Sequence, residues 1–198
     1  MPAMSVTLIS NLKPLKLVAA MGLALALMGC AGDGSRTFVT HVDQAPLWSP
    51  GLLDWIASSP QGLVIRVVAA DGDDRWAGEA VAALEDISWM PFSALTIDRP
   101  GSRDRVFHLA LVVHAPSAEP ADSACDGDMT PIAGQADVVM ALCHDGRAVA
   151  TARATATAAL MPDSPSFHQA VRAAAIGAFP RRDPDETDPT PIIFPPLV

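Results

Sequence analysis

The chain has 198 residues, half of them hydrophobic and 18% charged, with a formal net charge of −9. That length holds one domain with appendages and excludes a large multidomain enzyme. The acidic balance excludes unassisted nucleic-acid binding, which needs a basic face to displace counterions, and the apolar half excludes global disorder.

The averages mix two unlike parts. Lys13 and Lys16 are the only lysines, and they precede the uncharged apolar run Leu17–Met28. A basic segment followed by 7–15 apolar residues is the pattern of a secretory signal, whereas a membrane-spanning helix needs roughly 20. The run ends in Leu27-Met28-Gly29-Cys30. This segment resembles the lipobox of bacterial lipoproteins, with Leu at −3, a small residue at −1 and then Cys. The resemblance covers residues 13–30 and implies cleavage before Cys30 and lipidation, palmitate included, of its sulfur and of the new amino terminus. Several acyl chains hold a protein firmly to a bilayer where one chain does not. Ala31 rather than Asp follows the cysteine, which by the family's sorting rule implies the outer membrane, with the domain facing the periplasm. The alternative is an ordinary cleaved signal with Cys30 as a bystander. Removing residues 1–29 takes away two lysines and no acid, so the charge of the mature part becomes −11.

Three cysteines then resolve into a lipid site and a pair. Cys125 and Cys143 allow one intramolecular pairing, and an exported compartment permits it. Such a bridge contributes about 3 kcal/mol in the chain-entropy model. The competing reading, a reactive or metal-binding thiol, lacks a CxxC partner and a basic neighbour at Cys125.

In chain order, Ala31–Pro46 opens with small polar residues and reads as a flexible tether from lipidated Cys30 to the domain. Trp48–Ser58 predicts a short helix with Ser49 as cap and Pro50 in its first turn. Leu63–Ala70 is a β-branched apolar strand, Asp71–Asp74 a turn, and Asp74–Ser88 a helix with one buried stripe through Trp76, Ala80, Ala83, Leu84 and Ile87. Pro91–Arg99 alternates and reads as a strand, as does Val106–His114. Ala115–Gly134 is a long loop, either functional or cross-linked. Ala136–Cys143 and Ala148–Ala158 predict a hairpin across His144-Asp145-Gly146-Arg147, since Asp-Gly between apolar runs is a strong turn signal. In the second arm Thr151, Arg153, Thr155 and Thr157 alternate with alanines, one face polar and one small, as suits a strand beneath a helix. Ser164 and Pro165 start the last helix, which Pro180 follows. The tail, residues 181–198, is acidic and proline-rich and ends in the apolar Ile192–Val198, which either docks on its own domain or binds a partner.

The order α-β-α-β-β-β-β-α predicts an α+β two-layer sandwich over residues 47–180: a mostly antiparallel sheet of four to five strands with helices on one face. The order is loosely similar to periplasmic domains of assembly lipoproteins such as activators of cell-wall synthases, an analogy of fold alone.

The residues offer little catalytic spacing. His108 and His114 share a strand face but stand about 20 Å apart, too far for one zinc. His41 lies in the tether, His144 in the hairpin turn and His168 in the last helix, and no HxxxH or HExxH occurs. Asp71-Gly72-Asp73-Asp74 resembles a calcium loop only at its start, because position 82 is Ala where a bidentate Glu is required. Asp126 and Asp128 read as a solvated loop. A glycine-flanked nucleophile and a phosphate loop are both missing. Trp48, Trp55, Trp76 and Trp89 read as core or, alternatively, as a platform for a sugar polymer. The expectation is a non-enzymatic lipoprotein, without cofactor or metal, held to the membrane through Cys30 and binding another envelope component. The alternative is a periplasmic hydrolase or cell-wall-binding module.

Overall fold

Continuous apolar runs, buried on both faces, make the central strands of one sheet, and a strand alternating alanine with threonine and arginine lies beside them. The computed structural model describes residues 36–49, 51–60, 62–92, 95–98 and 106–180. Strands β1 (Thr37–Gln44), β2 (Val64–Val68), β3 (Thr96–Ile97), β4 (Phe107–Val113), β5 (Asp137–His144) and β6 (Arg147–Ala156) lie in the order β1-β6-β5-β4-β2-β3. The first three neighbouring pairs in that order, β1–β6, β6–β5 and β5–β4, are antiparallel, whereas β4–β2 and β2–β3 are parallel. Among the described residues the sheet is therefore six-stranded and mixed, not a mostly antiparallel one of four to five strands. Helix α2 (Arg75–Glu85) explains the difference. It carries the chain from the end of β2 back to the start of β3, and strands joined by such a crossover run parallel. A reading that pairs successive strands as hairpins does not capture that step.

The segment read as a tether is the second correction. Thr37–Gln44 is not linker but an edge strand, in register with β6 from Thr37 opposite Ala156 to Gln44 opposite Ala150. Only the first residues after Cys30 are small and polar. Phe38, Val39 and Val42 then return to strand-forming residues, with Val39 and Val42 opposite Ala154 and Ala152 of β6 and Phe38 opposite Thr155. The strand predicted over Pro91–Arg99 is shorter than expected. Among the described residues its pairing is confined to Thr96–Ile97, while Met90 and Phe92 ahead of it are buried.

Helices α1 (Leu52–Ser58), α2 and α3 (Pro165–Ala178) cover one face. The cap of α1 is Gly51 without a side-chain bond, not Ser49, whose carbonyl accepts Leu52 N–H. Ser164 caps α3 as expected, accepting Phe167 N–H at 3.2 Å, with Pro165 following. Trp76 of α2 meets Phe167 of α3 edge-to-face at 4.9 Å. Arg172 of α3 ties the two helices further, donating to the Ala83 carbonyl and to the Asp86 carboxylate. Beneath α3 lie Ala150, Ala152, Ala154 and Ala156 of β6, all buried. Their small size lets the helix approach closely. A Cβ built on Gly177 would stand 3.1 Å from both Ala152 Cβ and Val39 Cγ1.

The hairpin between β5 and β6 turns at Asp145-Gly146, with φ of 49° and 73°. Both residues are in the left-handed region, the conformation that suits a two-residue turn to the right-handed twist of its strands. The predicted loop Ala115–Gly134 folds back over the second face of the sheet through a 3₁₀ turn, Ala121–Ala124. It buries Ala121, Ala124, Cys125 and Met129 against Ala110, Val112, Val139, Ala141 and Cys143.

Candidate functional site

The polar positions of β6 face away from the helices. The hairpin register places Asp137 opposite Thr155, Val139 opposite Arg153 and Ala141 opposite Thr151, so these residues share the loop-covered face. Toward β4 the loop covers that face with apolar side chains. Toward β1 it stands off and leaves a chamber of about 680 Å³.

The chamber has three sides. Its floor is Thr151, Arg153, Thr155 and Asp137. One wall is the edge strand, where Thr40, His41 and Asp43 line the space. A register shift between Val39 and His41 brings Thr40 and His41 together beside Arg153, and Thr40 Oγ1 donates to the Arg153 carbonyl at 3.5 Å. An extra residue in an edge strand re-aims side chains in this way. The other wall is Ser117–Asp122, and the disulfide fastens the stretch that follows. Cys125 and Cys143 are bonded, as the sequence predicts, with an S–S distance of 2.03 Å.

The floor holds a buried ion pair. Arg153 Nη1 donates to Asp137 Oδ2 at 3.2 Å, and both side chains are more than nine-tenths buried. Arg153 Nη2 donates to the Glu119 carbonyl at 2.6 Å, tying strand to loop. Thr155 Oγ1 donates to Asp137 Oδ1 at 2.6 Å. Charges taken from water in this way need such a set of partners, and each is costly if left alone. Two oxygens here have no hydrogen-bond partner, Glu119 Oε2 and Thr151 Oγ1. Of the ionisable side chains lining the chamber, four are carboxylates, one is the arginine already paired and one is His41. The geometry is that of a polar binding recess with an acidic rim.

A second cluster lies at the carboxyl ends of the parallel strands β2 and β4. Asp71 accepts from Trp76 Nε1 at 2.8 Å and from Asp73 N–H at 3.2 Å. Backbone hydrogen bonding and the indole hold its carboxyl below the usual aspartate value. Asp73 is lowered by the Arg75 side chain and backbone N–H, and Asp73 in turn raises Arg75. His114 closes β4 at φ 61°, its ring edge-on to Trp76 at 5.2 Å. These groups line a smaller cavity of about 300 Å³ with Leu160, Met161 and Pro162. Asp71 and Asp73 serve the turn and the start of α2, accepting the Asp73 and Arg75 N–H groups.

The histidines are dispersed. His108 stands opposite Cys143 in the β4–β5 register, while His114, turned by its left-handed backbone, meets Trp76 in the helix-covered layer. The two do not share the face that strand alternation predicts. His144 stacks on Phe107 at 4.4 Å, so it is packed as well as solvated. His168 Nε2 meets Glu79 Oε2 at 2.9 Å, joining α2 to α3. His41 lies not in a tether but on β1, at the chamber wall. Ser164 and Ser166 spend their hydroxyls at the start of α3, the latter on the Ala159 carbonyl. Three of the four tryptophans pack on separate phenylalanines, Trp48 on Phe179, Trp55 on Phe107 and Trp76 on Phe167, and Trp89 is exposed. Cys30 and residues 181–198 lie outside the described residues.

Asp137, Arg153 and Glu119 were not singled out by sequence reasoning as a site. The available signal was Arg153, a lone charge inside an Ala/Thr strand, and a carboxylate at the start of the paired one.

Among solved structures the chain is similar to two PelC dodecamers from Paraburkholderia phytofirmans. One, a point variant in space group C2, has TM-score 0.39 and 13% identity; the other, in P6, has 0.40 and 14%. Each comparison covers 75% of this chain and 100% of the other. No protein-family model and no curated protein matches the chain.

Proposed function

We propose that the protein is an outer-membrane lipoprotein, anchored through Cys30 and facing the periplasm, that works as a non-enzymatic accessory or assembly factor binding another envelope component. The observation that carries this reading is Leu27-Met28-Gly29-Cys30 at the end of a basic-then-apolar leader, ahead of an acidic domain. A domain containing the Cys125–Cys143 disulfide suits an oxidising compartment. The non-enzymatic part of the reading is supported by where the polar chemistry goes. Ser164 and Ser166 order a helix start, Asp71 and Asp73 a turn, and Arg153 with Asp137 a buried pair.

Membrane fractionation tests the anchor. The native chain is expected in the outer-membrane fraction, and Cys30→Ala is expected to move it to the soluble periplasm. Unchanged fractionation of the variant would overturn the anchor. In vivo cross-linking of the anchored chain tests the role, with one reproducible envelope protein as the expected product. Turnover or binding of cell-wall fragments without a protein partner would overturn it.

A further inference from the structure

We propose that the chamber between β1, β6 and the disulfide-tied loop binds a protonated primary amine. The inference does not depend on lipidation or on the accessory role.

The argument starts from what the chamber's own residues leave unanswered. Its one arginine is already engaged, by Asp137 and by the Glu119 carbonyl. Among the described residues, the remaining carboxylates that line it, Asp43, Glu119 and Asp122, stand against no second permanent cation there. Glu119 Oε2 is buried without a hydrogen-bond partner. So is the hydroxyl of Thr151, a residue only 2% exposed that also lines the chamber. Buried polar atoms are nearly always satisfied, and an exception calls for an occupant. An ionised carboxylate can only accept, so Glu119 asks for a donor, and the surplus of acid asks for positive charge. A primary ammonium carries three donors on a compact centre and serves a carboxylate and a hydroxyl together.

A metal ion is a poorer match. Among the described residues no three His, Cys, Asp or Glu side chains converge as a metal site requires. The chain supplies no ammonium side chain of its own after the leader, since its lysines are Lys13 and Lys16. The amine therefore comes from outside the domain, either as a small free amine or as a lysine side chain of another protein.

The experiment is a titration of the mature chain, followed by amide chemical shifts, with two amine probes and two controls. The probes are 1,4-diaminobutane and an N-acetylated, C-amidated Gly-Lys-Gly peptide; the controls are butanol and butyrate. Saturable shifts at Glu119, Thr151 and Arg153 with an amine, and none with either control, are expected. Stronger binding of the diamine would identify a free amine as the source, and stronger binding of the peptide a lysine side chain. Glu119→Gln removes the charge and keeps the shape, and affinity should fall about 10-fold, the cost of losing one charge-assisted hydrogen bond. Thr151→Val should weaken binding less, and raised salt should weaken it in the parent. Unfolding midpoints of both variants, measured alongside, separate lost binding from lost folding. No saturable shift with either amine, shifts of equal size with butanol, or undiminished affinity in folded Glu119→Gln would each overturn the proposal.

Discussion

The two faces of the sheet are made by the same strands and hold their covering layers by different means. On the helix side, β5 contributes Val138, Met140 and Leu142 and β6 its alanines, and three helices close over them with apolar contact and aromatic edges. On the loop side, the next residues along those strands include Asp137, Arg153 and Thr155, which pair with one another within the sheet, and the cover is held by Arg153 donating to the Glu119 carbonyl, by a disulfide and by a small apolar cluster. Apolar burial is non-directional, so the helix side depends on volume. Hydrogen-bonded charge is directional and fails when one partner is removed, so the loop side depends on completeness. The first face explains why the domain folds, and the second leaves a recess.

The sharpest way to break the loop side is to remove half of its ion pair. Asp137→Leu leaves Arg153 buried without its carboxylate and removes the acceptor of Thr155. A loss of about 3–5 kcal/mol in urea unfolding is expected. Adding Arg153→Met should recover most of it, because two apolar residues replace a pair that only roughly balances its own desolvation. Failure of the double variant to recover would mean that the Arg153–Glu119 tie, not the pair, holds the loop.

Removing the disulfide is a milder break of the same face. Replacing both Cys125 and Cys143 with Ala frees a loop closed across 18 positions, and about 3 kcal/mol should be lost. The loss should be local in its native-state consequence. Amide exchange should accelerate in Ala121–Ala124 while the helix-covered strands keep their protection. Uniform acceleration across the sheet would show that the bridge supports the whole fold.

The same contrast governs what was legible in the sequence. Continuous apolar runs, the alanine/threonine alternation of β6 and helical stripes are local patterns, so β2, β4, β5, β6, α2 and α3 are readable, as is the Asp145-Gly146 turn. The alanine face of β6 was read as lying under a helix, and it does lie under α3. Pairing partners are not in the local pattern, and so the parallel β2–β4 and β2–β3 ladders were missed. Strand β1 was missed because its neighbour in space is over a hundred residues away in sequence. The chamber depends on four distant segments, β1, the 117–122 loop, Asp137 and Arg153, and no single window contains it. The disulfide was readable, because two cysteines have one pairing.

Substitutions on adjacent residues of β6 test volume against completeness directly. Ala152→Leu adds bulk beneath α3, where Gly177 already stands close to Ala152, and should cost about 1–3 kcal/mol. Thr151→Val, one residue away on the other face, removes a hydroxyl that has no partner and should be neutral or stabilise by up to about 1 kcal/mol. Equal costs for the two would erase the distinction between the faces.

The smallest expected effect belongs to the turn before α2, and it is a pH effect. Asp71 accepts the Asp73 N–H and the Trp76 indole, and these bonds favour its ionised form. Its folded-state value is therefore below the ordinary 3.8. A carboxyl lowered on folding binds protons more weakly in the native state than in the unfolded one. Its contribution is fully present above pH 3.8 and is lost as the pH falls through the folded value. Asp71→Asn should lower the urea midpoint at pH 7, and the gap to the parent should narrow only below about pH 4. The indole of Trp76, held by Asp71 and packed on Phe167, gives the fluorescence that reports it. A gap that persists undiminished into strong acid would show that the indole packing, rather than the ionised carboxylate, stabilises the turn.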